Sequence, residues 1–367
     1  MLKDDYRDII AYKLRSGQLS RRGLIKSLTA IGLGAGVLRG GMASAQAGEL
    51  ILATWGGEVG KATVDIFGGK LTELTGITVR EDGSGPTEGA VQAQAASGKI
   101  AWDVMQLEYN SAITLGEKGL LGEIDYAIVD KAKIVGGTAF EYGVAALFNT
   151  MVLCYDSEKY GDNPPKTWKD FFDVEAFPGQ RCIPKYMNGL LEGALLADGM
   201  APDQLYPIDL NRALNKIAEL LPHVSSVWGS GAESQQVMMD GDASMGMIWG
   251  TRAILVDRET EQRVTFTFND GVIFPDAWSY MKDGPAGAEA SNRFIAAAQD
   301  PVLQVELLKL VGLSPANPEA AALVPEEFKR IDCTQPEHVA VMHPQDMDWY
   351  AKNYAEALDR YTALIAG

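Results

Sequence analysis

Short strand-like runs alternate with helical ones along nearly all of the chain beyond residue 48, and this alternation constrains the fold most. Glu49 to Thr54 reads as a strand that Gly56-Gly57 ends, and Val59 to Leu74 has helical spacing. Ile77 to Arg80 and Trp102 to Leu107 read as strands around an Ala-rich helix, Pro86 to Ser97. Ala145 to Tyr155 is a longer β pattern with a break expected near Asn149-Thr150. The second half repeats the grammar. Strands are expected at Arg181 to Pro184, Ala243 to Trp249, Val264 to Phe268 and Trp278 to Lys282. Helices are expected at 190–197, 209–221, 233–240, 251–259, 288–298, 301–311 and 345–366. An α/β architecture follows.

The first 47 residues carry a different signal. Ser20-Arg21-Arg22-Gly23-Leu24-Ile25-Lys26 resembles the twin-arginine export motif. A soft apolar run, Ser27 to Leu38, follows, and then Ala45-Gln46-Ala47, a small-x-small cleavage pattern. Residues 1–47 are therefore expected to be a cleaved leader, delivering the protein to the periplasm by the twin-arginine or the general secretory route. A membrane anchor would need ~18–20 strongly apolar residues, longer than this Gly-rich run.

The 320 residues from Gly48 onward exceed what one hydrophobic core usually serves, so two lobes are expected. Without the leader's eight basic and three acidic residues, 24 basic and 46 acidic residues remain, a net charge of −22. Such a surface repels nucleic acid and anionic lipid and favours cationic partners. Three cysteines, Cys154, Cys182 and Cys333, are too few for a disulfide framework, although a Cys182–Cys333 bridge stays open.

Catalytic signatures are missing from the sequence. It holds no Gly-x-Ser-x-Gly elbow, no His-Glu-x-x-His, no Walker loop and no cysteine cluster for iron–sulfur or haem. Its three histidines are His223, His338 and His343; a metal pair at His338 and His343 would lack a third ligand. No enzyme activity, cofactor or metal is expected.

Strand ends facing a crevice are where open α/β sheets bind ligands. Trp55-Gly56-Gly57 follows the first strand: the glycines let backbone N–H groups approach a ligand, and the indole face can cover an alkyl chain or a cation. The alternative is a core Trp at a tight turn.

Several segments carry a family resemblance. Gly98-Lys99-Ile100-Ala101-Trp102-Asp103-Val104 leads into Leu115-Gly116-Glu117-Lys118-Gly119-Leu120-Leu121-Gly122-Glu123-Ile124-Asp125. Thr167-Trp168-Lys169-Asp170-Phe171-Phe172, Phe177-Pro178-Gly179-Gln180-Arg181 and Leu195-Leu196-Ala197-Asp198-Gly199 follow. In order and spacing, from about residue 49 to 366, the chain resembles the extracellular solute-binding proteins of ABC importers, in their spermidine/putrescine-type branch. The resemblance implies an α/β, two-lobed periplasmic binding protein fold (type II) with a ligand cleft between hinged lobes. The lobes are expected at 48–149 plus 277–312 and at 150–276 plus 313–367, with crossings near Thr150, Pro275 and Gly312. Implied partners are a small amine-bearing ligand and an ABC transporter membrane permease, with the binding protein acting as a monomer.

The resemblance also implies site residues. Glu108 or Tyr109 matches the polar turn after the third strand, or else is a solvated loop residue. Glu192 matches an acidic ligand for amines, or else stabilises a helix N-terminus. Trp249 falls at the cleft Trp, and Asp276, with Trp278 beside it, at the carboxylate that holds an ammonium. Asp276 could instead cap a turn after Pro275.

Arg252 departs from that pattern. An arginine suits a carboxylate or phosphate, which it grips with two parallel hydrogen bonds. The ligand expected first, from the resemblance, is a polyamine, putrescine or spermidine; Arg252 raises a close alternative, a zwitterionic ω-amino acid such as 4-aminobutyrate. If Arg252 pairs with Glu108 or Glu192 it only shapes the pocket and the polyamine gains; if its fork is free in the cleft the zwitterion gains.

Overall fold

The computed structural model describes residues 48–367. The leader expected at 1–47 lies outside the described residues. Among those described, no helix is long and apolar enough to cross a membrane.

The strands in chain order are β1 (Glu49–Ala53), β2 (Thr78–Asp82), β3 (Val104–Glu108), β4 (Ala139–Phe140), β5 (Gly143–Asp156), β6 (Arg181–Pro184), β7 (Val224–Trp228), β8 (Met245–Trp249), β9 (Val264–Tyr280), β10 (Ser314–Pro315) and β11 (His343–Pro344). The path β2-β1-β3-β9-β5-β8-β6-β7 joins the eight longer ones through hydrogen bonds. At either end the pairing is parallel, β1 with β2 and β3, and β6 with β7 and β8. In the middle β5 and β9 run antiparallel to each other and to their neighbours on that path, while the short β11 pairs with β9 in parallel.

The helices that matter for the site begin beside strand ends. They are α1 (Gly57–Thr63), α2 (Glu88–Ser97), α3 (Tyr109–Glu117), α4 (Leu190–Ala197), α5 (Gly231–Asp240), α6 (Gly250–Glu259), α7 (Gly287–Ala297), α8 (Pro301–Val311) and α9 (Met347–Ile365). α1 continues through a wider π turn, Val64–Gly68, into a further helical stretch, Gly69–Thr75.

Two large apolar cores flank the central strand pair. One gathers Leu50, Leu52, Phe67, Val104, Trp278, Phe294 and Leu307. The other gathers Met151, Trp168, Ile183, Trp228, Met247 and Tyr350. Leu313 and Ala316, beyond the crossing expected near Gly312, still pack in the first core. β5 and β9 feed both, which makes them the connection between two lobes.

The chain differs from the sequence expectation in the middle of the sheet. The strands expected at 264–268 and 278–282 are one 17-residue strand. The break expected in β5 is a continuous strand with register shifts between Ala145/Phe148 and Met151/Leu153. Pro275 lacks an N–H, yet it is tolerated in β9 because it faces Phe148, at the edge of such a shift. All three cysteines are free and buried. Cys182 Sγ sits 3.7 Å from Met238 Sδ, so the Cys182–Cys333 bridge left open by the sequence is not formed.

Candidate functional site

A cavity of about 50 Å³ lies where the strand ends of both lobes meet. Trp55 and Gly56 enter it after β1, Gln106 and Glu108 from the end of β3, and Trp249 with Arg252 from the junction of β8 and α6. Asn149 of β5 and Phe274 and Asp276 of β9 form its floor, and Tyr186 and Asn188 follow β6. This is the position that sheet topology favours for a ligand. The turn after β1 is fixed by its own chemistry. Gly56 has φ +71°, and a Cβ there would come within 2.7 Å of Gly83 O. Thr54 Oγ1 accepts from Gly56 N at 3.0 Å and donates to Glu81 Oε1 at 2.7 Å.

One end of the cavity is acidic. Glu108 and Asp276 are register partners across β3 and β9, so their side chains leave the same face side by side. Gln106 Nε2 donates to Asp276 Oδ2 at 2.7 Å. Burial pushes the Asp276 carboxyl up to about 7 against the hydrogen bond from Gln106. Burial, reinforced by Asp276 and Glu88, pushes Glu108 up to about 8. Two like charges placed directly opposite each other destabilise a strand pair. A cation between them would remove that cost.

The other chemistry is basic. Arg252 lies in the first turn of α6 and is 8% exposed. Among the described residues it forms no ion pair with a carboxylate, and its Nε is buried without a hydrogen-bond partner. Burial lowers its pKa, an effect that Glu58 partly offsets. The guanidinium lies beside Gly57 and Gly231, where a side chain would compete for its space. α6 starts without a side-chain cap, so its first N–H groups are not bonded by a capping side chain. α5 beside it is capped by Ser230. An uncapped helix start with a buried arginine in its first turn is suited to an anion.

Aromatic rings form the walls. Tyr186 stacks on Trp249 with centroids 6.1 Å apart and planes 16° apart, and Trp249 meets Trp228 edge-on at 5.2 Å. Tyr186 Oη donates to Gly229 O at 2.6 Å, which fixes the ring. Asn188 also lines the cavity; it is buried, and its Oδ1 has no hydrogen-bond partner among the described residues.

Six of the nine residues expected from sequence therefore line one cavity: Trp55, Gly56, Glu108, Trp249, Arg252 and Asp276. Three do not. Tyr109 is one residue past Glu108 and points to the opposite side, where it packs on Phe140 with centroids 5.0 Å apart. Trp278 shares the face of Asp276 but lies deeper, wedged edge-on between Phe67 and Phe294. Glu192 is fully buried in the second core, where the hydroxyls of Tyr206 and Tyr350 donate to its carboxylate. Those tyrosines satisfy it without a ligand. Arg252 pairs with neither Glu108 nor Glu192. Sequence reasoning missed Gln106, Asn149, Tyr186, Asn188 and Phe274. Gln106 and Phe274 were legible, since each is two residues from a carboxylate that faces the cavity.

Known proteins share the sequence pattern and the fold. The family model described as bacterial extracellular solute-binding protein matches residues 67–332. The gamma-aminobutyric acid-binding protein of Pseudomonas aeruginosa is 30% identical over 282 residues, 75% of this chain and 79% of that protein. An ABC transporter substrate-binding protein from Bradyrhizobium japonicum USDA 110 superposes with a TM-score of 0.80 at 30% identity, covering 87% of this chain and 99% of that one. A solved GABA receptor gives 0.78 at 29% identity, covering 86% and 97%. The architecture is that of the type II periplasmic binding proteins, and family and fold are those of non-catalytic transport proteins.

Proposed function

This chain belongs to the bacterial extracellular solute-binding protein family, and from that premise we propose that it captures a zwitterionic ω-amino acid such as 4-aminobutyrate for an ABC importer. It does so in the periplasm, as a monomer, after export by its leader. The observation that carries the reading is Arg252, buried at the cleft and in no ion pair with a carboxylate among the described residues. The ligand's carboxylate meets Arg252 and the start of α6; its ammonium lies between Glu108 and Asp276. Trp55, Tyr186 and Trp249 cover the methylenes between.

A polyamine fits this cavity less well. It would satisfy Glu108 and Asp276 with one ammonium and bring a second positive charge toward Arg252. The names of the similar binding proteins also point toward 4-aminobutyrate and away from the polyamine expected first.

Closure follows the physics of desolvation. A buried ammonium is costly unless carboxylates accept its hydrogen bonds, and the arginine obeys the same rule toward an anion. Each pole therefore binds well only when water is excluded, which favours lobes closed over the ligand. The permease then meets the closed form.

The test is calorimetric titration of residues 48–367 with 4-aminobutyrate, putrescine and spermidine, for the parent and for Arg252→Ala. The parent is expected to bind 4-aminobutyrate in the micromolar range, about 8 kcal/mol, and the diamines at least tenfold more weakly. Arg252→Ala is expected to weaken 4-aminobutyrate about a hundredfold and to leave the diamines no worse. A parent that prefers putrescine would end the zwitterion reading.

A further inference from the structure

The zwitterion accounts for the cleft but not for a larger compartment beside it. That compartment has a volume of about 610 Å³ and shares Trp55, Glu108 and Tyr186 with the cleft. It therefore joins the cleft at the acidic end, where the ammonium is held. Beyond the shared wall it runs from the start of α2, at Thr87, along Ser111 and Thr114 of α3 to one face of α9. On α9 its lining recurs at Ala351, Ala355 and Leu358, a helical stripe of which two members are alanines that leave room.

Its charged lining is Glu88, Glu108 and Asp359 against Lys118, Lys185 and Lys352. With Glu108 turned to the ammonium, the remainder carries one more cation than anion, and Lys352 and Asp359 form no ion pair among the described residues. Lys118 is engaged by Glu88 at 3.5 Å. Lys185 lines the compartment at the strand end that carries Tyr186, is exposed, and has no ion pair among the described residues. A cation without a partner at the rim of a compartment that opens from the amine site favours an anionic occupant.

We propose that this compartment is a second subsite that receives a carboxylate-bearing substituent on the ligand's amine, so that the protein also takes N-substituted ω-amino acids. The proposal rests on the zwitterion reading and extends it. A secondary ammonium keeps two N–H donors, one each for Glu108 and Asp276. Its substituent takes the third direction, past Glu108 and toward Lys185. A primary ammonium instead has its third N–H for Asn188 Oδ1 or water, so both classes satisfy the acidic pair.

The experiment titrates residues 48–367 with 4-aminobutyrate and with N-(3-carboxypropyl)-4-aminobutyrate, for the parent, Lys185→Ala and Ala355→Trp. The parent is expected to bind the substituted compound at least as tightly as 4-aminobutyrate. Lys185→Ala, at an exposed position, is expected to weaken only the substituted compound, about fivefold. Ala355→Trp, which fills the compartment from the face of α9 that lines it, is expected to weaken it tenfold or more and 4-aminobutyrate less than about twofold. If the parent binds 4-aminobutyrate and not the substituted compound, the subsite is rejected and the zwitterion reading stands. If neither binds, both are rejected. Equal losses for the two compounds in Lys185→Ala would reduce the compartment to an entrance and overturn the proposal.

Discussion

The acidic and basic poles of the cleft are built by opposite means. Glu108 and Asp276 stand on strands that hydrogen-bond to each other, so their separation is set by the sheet. Arg252 stands on a helix start in the second lobe and reaches the glycine turn of the first, at Gly57. The acidic pole is preformed, whereas the basic pole depends on how closely the lobes approach. The ammonium is therefore the fixed anchor, and the carboxylate reports closure. Preorganised groups lose less entropy on binding than groups that must be brought together.

That contrast predicts unequal mutational effects. Arg252→Ala removes one class of ligand, as argued above. Asp276→Ala acts on the other pole and is expected to weaken every amine, 4-aminobutyrate and putrescine alike, by tenfold or more, about 1.4 kcal/mol. The loss stays below that for Arg252→Ala on 4-aminobutyrate because Glu108 remains to accept from the ammonium. Competition binding of the two ligands to the same variant measures the ratio. Parent-like binding by Asp276→Ala would remove it from the site.

Protons sharpen the comparison, because only the acidic pole titrates near neutrality. Burial raises both Asp276 and Glu108 above the ordinary carboxylate range, to about 7 and about 8. For a raised acid the folded protein holds protons that the unfolded chain has already lost. The stability this contributes is complete below the unfolded value, ~4, and is lost as pH rises through 7 to 8. The ligand-free protein is therefore expected to melt at lower temperature at pH 8.5 than at pH 6. Ligand binding moves the other way. The ammonium needs ionised carboxylates, so affinity is expected to rise about tenfold from pH 6 to pH 8 and then level off. Calorimetry in buffers of different ionisation heat would record the released protons. An affinity flat across that range would mean that the pair is already ionised in the free protein.

The same physics explains what was legible in the sequence. Arg181 to Pro184, 190–197 and 301–311 were placed to the residue because their periodicity and their flanking Gly and Pro agree. The joining of β9 was not legible, because Gly271 and Pro275 are local breakers and only the bulged partner strand accommodates them. Val224–Trp228 was missed, because two serines interrupt its apolar pattern. Of the cleft residues at strand ends, Trp55 was found from topology, Trp249 from the family resemblance and Arg252 as a departure from that pattern. Tyr186 and Asn188 were not chosen, although their segment was singled out, because Glu192 drew the assignment there. A carboxylate at the start of a helix looks the same in sequence whether it faces a cleft or two buried tyrosines.

Glu192 gives the smallest predicted effect on binding and the clearest control for the two poles. It is a buried carboxylate like Asp276, and burial raises its pKa as well. Its partners are Tyr206 and Tyr350, the latter at 3.0 Å, and both belong to the protein. Its role is therefore to satisfy α9 and the second core, since Tyr350 comes from that helix. Glu192→Ala is expected to destabilise the fold by roughly 1–3 kcal/mol by removing the acceptor of both tyrosine hydroxyls, of which Tyr350 alone keeps another, Met187 O at 3.2 Å. Affinity for 4-aminobutyrate at a temperature where the variant is folded is expected to stay within about twofold. A denaturation curve and a titration on the same sample separate the two. Buried acid alone, on this argument, does not make a binding site; what distinguishes Asp276 and Glu108 is that the fold sets two carboxylates side by side at a cavity with only Gln106 to share between them. A tenfold loss of affinity in Glu192→Ala would break that distinction and return Glu192 to the cleft.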